Sequence, residues 1–134
     1  MGRLDPATCR EIESISLPFA SSRNPIDLTA SADDRVFGRS LDALILDKGV
    51  DIVICVAFFA PPAITDGLMD EIVARVRQSQ KPIIVFTQFG PFTDGYLKRF
   101  HEAGVVGYPS ISRSVRAARF LVERSEIVRR MNDR

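Results

Sequence analysis

Two short apolar runs, Asp51-Ile52-Val53-Ile54-Cys55-Val56-Ala57 and Lys81-Pro82-Ile83-Ile84-Val85-Phe86, stand between stretches whose apolar residues repeat at helical spacing. Nothing else in the chain restricts its fold so sharply. A continuous β-branched and apolar run of strand length suits a strand covered on both faces, so residues 51–58 and 82–87 read as strands. Pro25 to Leu28 and Val105 to Tyr108 are shorter candidates. Phe37, Leu41, Leu44 and Ile45 share one helical face; Leu68, Met69, Ile72, Val73 and Val76 share a second, and Val115, Ala118, Leu121 and Val122 a third. Tyr96, Leu97 and Phe100 mark a shorter helix. This alternation predicts a three-layer α/β domain: a short parallel sheet of about four strands, helices on both faces and right-handed crossovers.

The chain opens differently from most domains of that class. Asp5 to about Ser16 reads as a helix, with Asp5 as N-cap and Pro6 in the first helical position. Leu17 to Arg23 is loop, and Arg129 to Arg134 is polar enough to fray. A length of 134 residues fits one domain, 1–134, and leaves no room for two. The formal charge of +1 gives no reason to expect nucleic acid or an anionic membrane surface as partner. No apolar run reaches the length of a membrane span, and the first residues lack the apolar core of a signal peptide, which points to the cytoplasm. Cys9 and Cys55 have no metal-ligand spacing and read as free thiols.

Parallel sheets bind ligands at the carboxyl ends of their strands, where helix N-termini point outward. Four loops qualify: Thr29 to Asp33, Phe58 to Thr65, Gln88 to Thr93, and Pro109 to Ser112. Thr65, Thr93 and Ser112 are each placed to cap the helix that follows, and Asp66 and Asp70 suit the positive end of a helix dipole. Exposed N–H groups at such ends can hold an anion, although capping alone accounts for the hydroxyls. Asp27 sits in a segment read as a central or near-central strand, where hydrogen bonds from loop amides explain a buried carboxylate without catalysis. His101, the single histidine, lies among charged residues near a helix C-terminus and reads as a solvated surface residue. The chain carries no dinucleotide fingerprint, no Walker-type loop and no nucleophile elbow. A phospho-receiver is excluded too, because the 51–58 strand ends in Ala57-Phe58-Phe59 where that chemistry needs an aspartate.

The segment Asn24-Pro25-Ile26-Asp27-Leu28-Thr29 resembles the Asn-Pro-(Val/Ile)-Asp-Leu-Thr signature of the NDP-forming (ADP-forming) acyl-CoA synthetases, relatives of succinyl-CoA ligase. Pro61 to Asp66 is similar to the family's Pro-x-Ala-x-Thr-Asp stretch; Lys81-Pro82, Glu102-Ala103-Gly104 and Arg116-Ala117-Ala118 follow in the family's order. The match runs from about Asp5 to Met131 and is to the last flavodoxin-like domain of the alpha part. The chain departs from the pattern at Ala30, where Gly is frequent, and at Pro62, where a polar residue is common.

The resemblance implies a parent enzyme that converts acyl-CoA, NDP and phosphate to acid, CoA and NTP through a phosphohistidine. CoA, NDP or NTP and Mg are expected in that parent and no cofactor in this domain. His101 does not match the phosphorylated position, so no catalytic residue is expected. Asn24, Asp27, Thr29, Thr65 and Asp66 are the candidate strand-end and helix-N-terminus contacts to an anion or to the phosphohistidine. Partners would be the CoA-binding, phosphohistidine and ATP-grasp domains or subunits. The first reading is therefore a domain of such a ligase, inactive alone, that completes the phosphohistidine site or docks other domains. The second is a stand-alone or regulatory flavodoxin-like module for a small anion or acyl-CoA metabolite, as in ligase-like regions fused to acetyltransferases.

Overall fold

The computed structural model describes residues 2–88 and 90–133. Helix α1 (Pro6–Ile15) begins as its local chemistry requires: the Asp5 carboxylate accepts the Ala7 N–H at 2.7 Å, and Pro6 takes a position where no N–H is needed. Helix α2 (Asp34–Leu46) is capped in the same way, with Asp33 accepting the Val36 N–H at 2.8 Å. Strand β1 (Val53–Ala57), helix α3 (Gly67–Gln78) and strand β2 (Ile83–Thr87) follow. A single 3-10 turn (Gly90–Phe92) leads into helix α4 (Thr93–Glu102), strand β3 (Gly107–Tyr108) and helix α5 (Ile111–Asn132).

The sheet is parallel, in the order β1-β2-β3, with Val53 opposite Ile83 and Val85 opposite Gly107. It has three strands among the described residues, one fewer than expected. The missing one is Pro25 to Leu28. Its backbone is engaged elsewhere: Ser21 and Asp27 exchange N–H···O bonds of 2.8 and 3.0 Å in an isolated antiparallel bridge. That pairing occupies the backbone groups of Asp27 and folds the segment back on the loop before it, so it stands across a cavity from β1 and not in the ladder.

Val53, Cys55 and Ala57 face a core shared with Leu41, Leu68, Ile72, Val85 and Phe100, so α2, α3 and α4 cover one side of the sheet. Helix α5 crosses the other, where Ile84 is buried outside that cluster. Fully buried Ser114 lets α5 approach the sheet closely. Burial differs between the strands for a positional reason. Central β2 is buried at four of its five residues, whereas Val56 of edge strand β1 is 51% exposed, so β1 is not covered on both faces as its apolar run suggests. Cys9 and Cys55 are free thiols.

Two glycines are explained by their surroundings. Gly38 lets α2 and α3 touch, since a Cβ there would run into the Glu71 carboxylate and the Arg75 guanidinium. Arg75 bridges the two helices, donating to the Gly38 carbonyl and to Asp42, both at 2.7 Å, and also to Glu71. Gly104 ends α4 at φ +80°, a left-handed conformation that side chains resist.

Helix α5 departs from expectation in two ways. It runs to Asn132, through most of the stretch read as frayed (Arg134 lies outside the described residues). Its apolar face is also poorly covered, with Val115, Leu121 and Val122 exposed by 51, 40 and 47%.

Candidate functional site

The five candidate residues fall into two groups. Asn24, Asp27 and Thr29 line a cavity of about 600 Å³ between the loop 24–32, helix α2 and strand β1. Its walls are mostly apolar, supplied by Ile26, Leu28, Phe37, Leu44, Ile54 and Ile64 among others. Asp27 is not the buried strand carboxylate the sequence suggested. It is exposed, because its segment stays outside the sheet, and its Oδ1 accepts the Thr29 N–H at 2.8 Å. That short turn accompanies a left-handed Thr29 (φ 67°), and the Thr29 hydroxyl accepts the Ser31 N–H at 3.3 Å. Asn24 donates to the Gly2 carbonyl at 2.9 Å.

One wall of this cavity is the open edge of the sheet. In the parallel ladder Val53 donates to Pro82, so Val53, Cys55 and Ala57 direct their backbone groups at β2. Ile54 and Val56 therefore turn theirs toward the cavity side, where no strand pairs with them among the described residues.

Thr65 and Asp66 stand instead at the entrance of α3. The Thr65 hydroxyl accepts the Gly67 N–H at 3.0 Å, so this threonine does help cap the helix. Its own N–H (2.9 Å) and hydroxyl are donated to the Asp34 carboxylate, at the start of α2. Asp66 turns sideways, accepting from the Tyr96 hydroxyl at 3.0 Å and from Arg99 at 2.8 Å. Arg99 and then Tyr96 hold the Asp66 carboxyl below its usual value; burial and the Asp66 charge push Tyr96 up. Tyr96 is fixed in turn by stacking on Phe59, with ring centroids 3.9 Å apart.

The entrance of α3 thus has its first donors occupied and two carboxylates, Asp34 and Asp66, beside it. Pro61 and Pro62 remove two further backbone donors from the approach loop. An anion placed there as the side chains stand would meet like charge. Nothing in the residue pattern points to Asp34, Tyr96 or Arg99 at this place, since Asp34 reaches it from α2 and Tyr96 and Arg99 from α4, each across about 30 residues.

The remaining loops add little. Neither α4 nor α5 shows a side-chain cap from the residue preceding it, and Ser112 lies inside the first turn of α5. Phe89, in the Gln88 to Thr93 loop, lies outside the described residues. His101 is exposed, with Nε2 3.0 Å from the Gly107 carbonyl. Among the described residues no group of three or more His, Cys, Asp or Glu is placed to hold a metal ion, and no helix is long and apolar enough to cross a membrane.

No protein-family model matches the chain. Its sequence is similar to the alpha subunit of ADP-forming acetate–CoA ligase II from Pyrococcus furiosus, 24% identical over an alignment that covers 96% of this chain and 29% of that one. In fold it is similar to the crystal structure of PH0766 from Pyrococcus horikoshii OT3 (TM-score 0.86, 24% identity, 94% of this chain and 30% of that one). It is also similar to the dinucleotide-forming acetyl-coenzyme A synthetase 1 of Ca. Korarchaeum cryptofilum, solved in apo form and with phosphate and ADP. There the TM-score is 0.76 at 24% identity, over 85% of this chain and 25% of that one. The chain spans less than a third of each of these relatives. Over most of its length, the chain is similar in sequence to part of an ADP-forming acetate–CoA ligase alpha subunit and in fold to part of an acetyl-coenzyme A synthetase.

Proposed function

We propose that this chain is a non-catalytic domain of an ADP-forming acyl-CoA synthetase whose role is to dock other domains of the ligase in the cytoplasm. The likeness to the Pyrococcus alpha subunit over 96% of the chain carries this reading. The α3 entrance favours docking over direct stabilisation of a phosphohistidine, because Asp34 already takes the donors of Thr65 and Asp66 is held by Arg99. If Thr65 and Asp66 do meet a phosphohistidine in the assembled ligase, Asp34 must first move away. CoA, nucleotide and Mg then belong to the other domains, and the isolated chain turns over no acyl-CoA.

The test is the native polypeptide that carries this domain, sized by immunoblot of source-cell lysate and assayed after purification. ADP- and phosphate-dependent release of CoA from acetyl-CoA by that polypeptide, or by a complex containing it, is the expected result. A purified polypeptide and complex without such activity would overturn the ligase reading.

The cavity beside β1 favours a second reading, a module that binds an acyl-CoA metabolite through its apolar walls and the rim residues Asn24, Asp27 and Thr29. Calorimetry of the 134-residue chain with CoA, acetyl-CoA, ADP and phosphate separates the two. Saturable binding of acetyl-CoA supports the module; no heat with any of the four supports the docking domain.

A further inference from the structure

We propose that the outer half of α5 is a protein-docking surface centred on Arg124, and that its partner presents a carboxylate set among apolar side chains. This surface is read from α5 alone and does not depend on which parent protein carries the chain. The first turns of α5 seat it on the sheet, with Ser114 buried and Ala117 and Ala118 half-buried. From Arg119 to Asp133 every described residue except Glu123 is exposed. A helix half that only faced water would be polar all round. This one exposes Phe120, Leu121, Val122, Ile127, Val128 and Met131.

The order of these residues matters more than their number. Positions three and four apart are surface neighbours on a helix, so Phe120, Leu121, Ile127 and Val128 ring Arg124. The four are 62, 40, 55 and 40% exposed. On this helix Arg119 pairs with Glu123 at 2.7 Å and Arg130 with Glu126 at 3.5 Å, while Arg113, Arg116 and Arg129 have no ion pair among the described residues but also no such apolar ring around them. Arg124 has no ion pair among the described residues. An arginine inside an apolar ring has the composition of an interface centre, where the ring excludes water and the guanidinium takes a carboxylate in two parallel hydrogen bonds.

Charge selects the class of partner. Helix α5 holds six arginines and two glutamates, which leaves the rest of the chain net acidic against a total of +1. Two copies meeting through this face would bring like charge to like. A membrane-surface helix carries its cations around an apolar face, whereas here the cation stands in the middle of one. A protein socket with an aspartate or glutamate at its base satisfies both the ring and its centre.

The experiment places a photo-cross-linking phenylalanine analogue at Phe120 of the full chain in its source cells and identifies the linked peptide by mass spectrometry. The expected product is one protein segment bearing Asp or Glu between apolar residues. Arg124→Glu should cut its yield about tenfold or more, and reversing the partner's acid to Arg should restore it. Arg35→Glu, an equal charge change at an exposed position of α2, should leave the yield unchanged. Matching thermal melts show that the Arg124 variant is folded. Linkage to lipid, to a second copy, to a segment without a carboxylate or to nothing would overturn the proposal, as would a yield indifferent to Arg124→Glu.

Discussion

Asp34 and Thr65 join the starts of two helices: one carboxylate accepts both the backbone N–H, at 2.9 Å, and the hydroxyl of Thr65. The contact fixes the approach to α3 from α2, across 31 residues of sequence. It also puts a negative charge where the positive end of the α3 dipole would otherwise face water, which is favourable for the fold and unfavourable for a bound anion.

Replacing Asp34 by Ala should therefore cost about 1 kcal/mol, the net worth of hydrogen bonds to a partly exposed carboxylate. Urea unfolding measures it. With phosphate added, the midpoint of the unsubstituted chain should not move, and that of the variant should rise as Thr65 and the α3 entrance become available.

Asp47 gives the chain a defined acid limit. Burial alone would raise its carboxyl, but the Asp5 N–H (2.8 Å), the Thr8 hydroxyl, the Gly49 N–H (2.7 Å) and the Lys81 charge together hold it below its ordinary value. The unfolded chain therefore takes up this proton first on acidification. The stabilisation is complete above the unfolded value of about 3.9 and is lost as pH falls through the lower native value. Stability measured between pH 7 and pH 2 should drop in that acid window, and Asp47→Asn should flatten the drop while lowering stability at pH 7.

Cys55 should be inert while the chain is folded. It is 3% exposed, and burial pushes its thiol up to about 12, which leaves almost no thiolate at neutral pH. A chromogenic thiol reagent should count one thiol more after denaturation than before, and Cys55→Ser should abolish that difference.

Phe100 tests the core. It is fully buried, its ring 6.2 Å from that of Phe59, which stacks on Tyr96. Phe100→Ala should destabilise by about 3–5 kcal/mol. It should also loosen Tyr96 and with it the hold on Asp66, so the Tyr96 phenol should titrate closer to its ordinary value.

Local chemistry was readable from the residues themselves. The Asp5 cap with Pro6 behind it, the apolar faces of α2 and α3, and the strand runs at 53–57 and 83–87 all depend on neighbours within a few positions. What failed depended on pairings that residue type does not announce. Pro25 to Leu28 has strand character, yet Asp27 pairs with Ser21, in the loop just before it, and the segment stays outside the sheet. Periodicity likewise marked the apolar side of α5 without saying that the sheet ends before the helix does. The α3 entrance is the same case, because Thr65 and Asp66 were visible as a helix start while Asp34, Tyr96 and Arg99 converge on it only in three dimensions.

The backbone of Ile54 and Val56, which no strand pairs among the described residues, sets a condition on how this chain behaves at high concentration. A bare strand rim is a template on which another chain can stack, and repeated stacking leads to fibres. The loop from Asn24 to Ala30 stands alongside that rim, across the cavity, with Pro25 denying it one hydrogen-bond donor. Its placement makes the segment a guard rail, and shortening it should leave the rim open to a second chain and raise the tendency to aggregate.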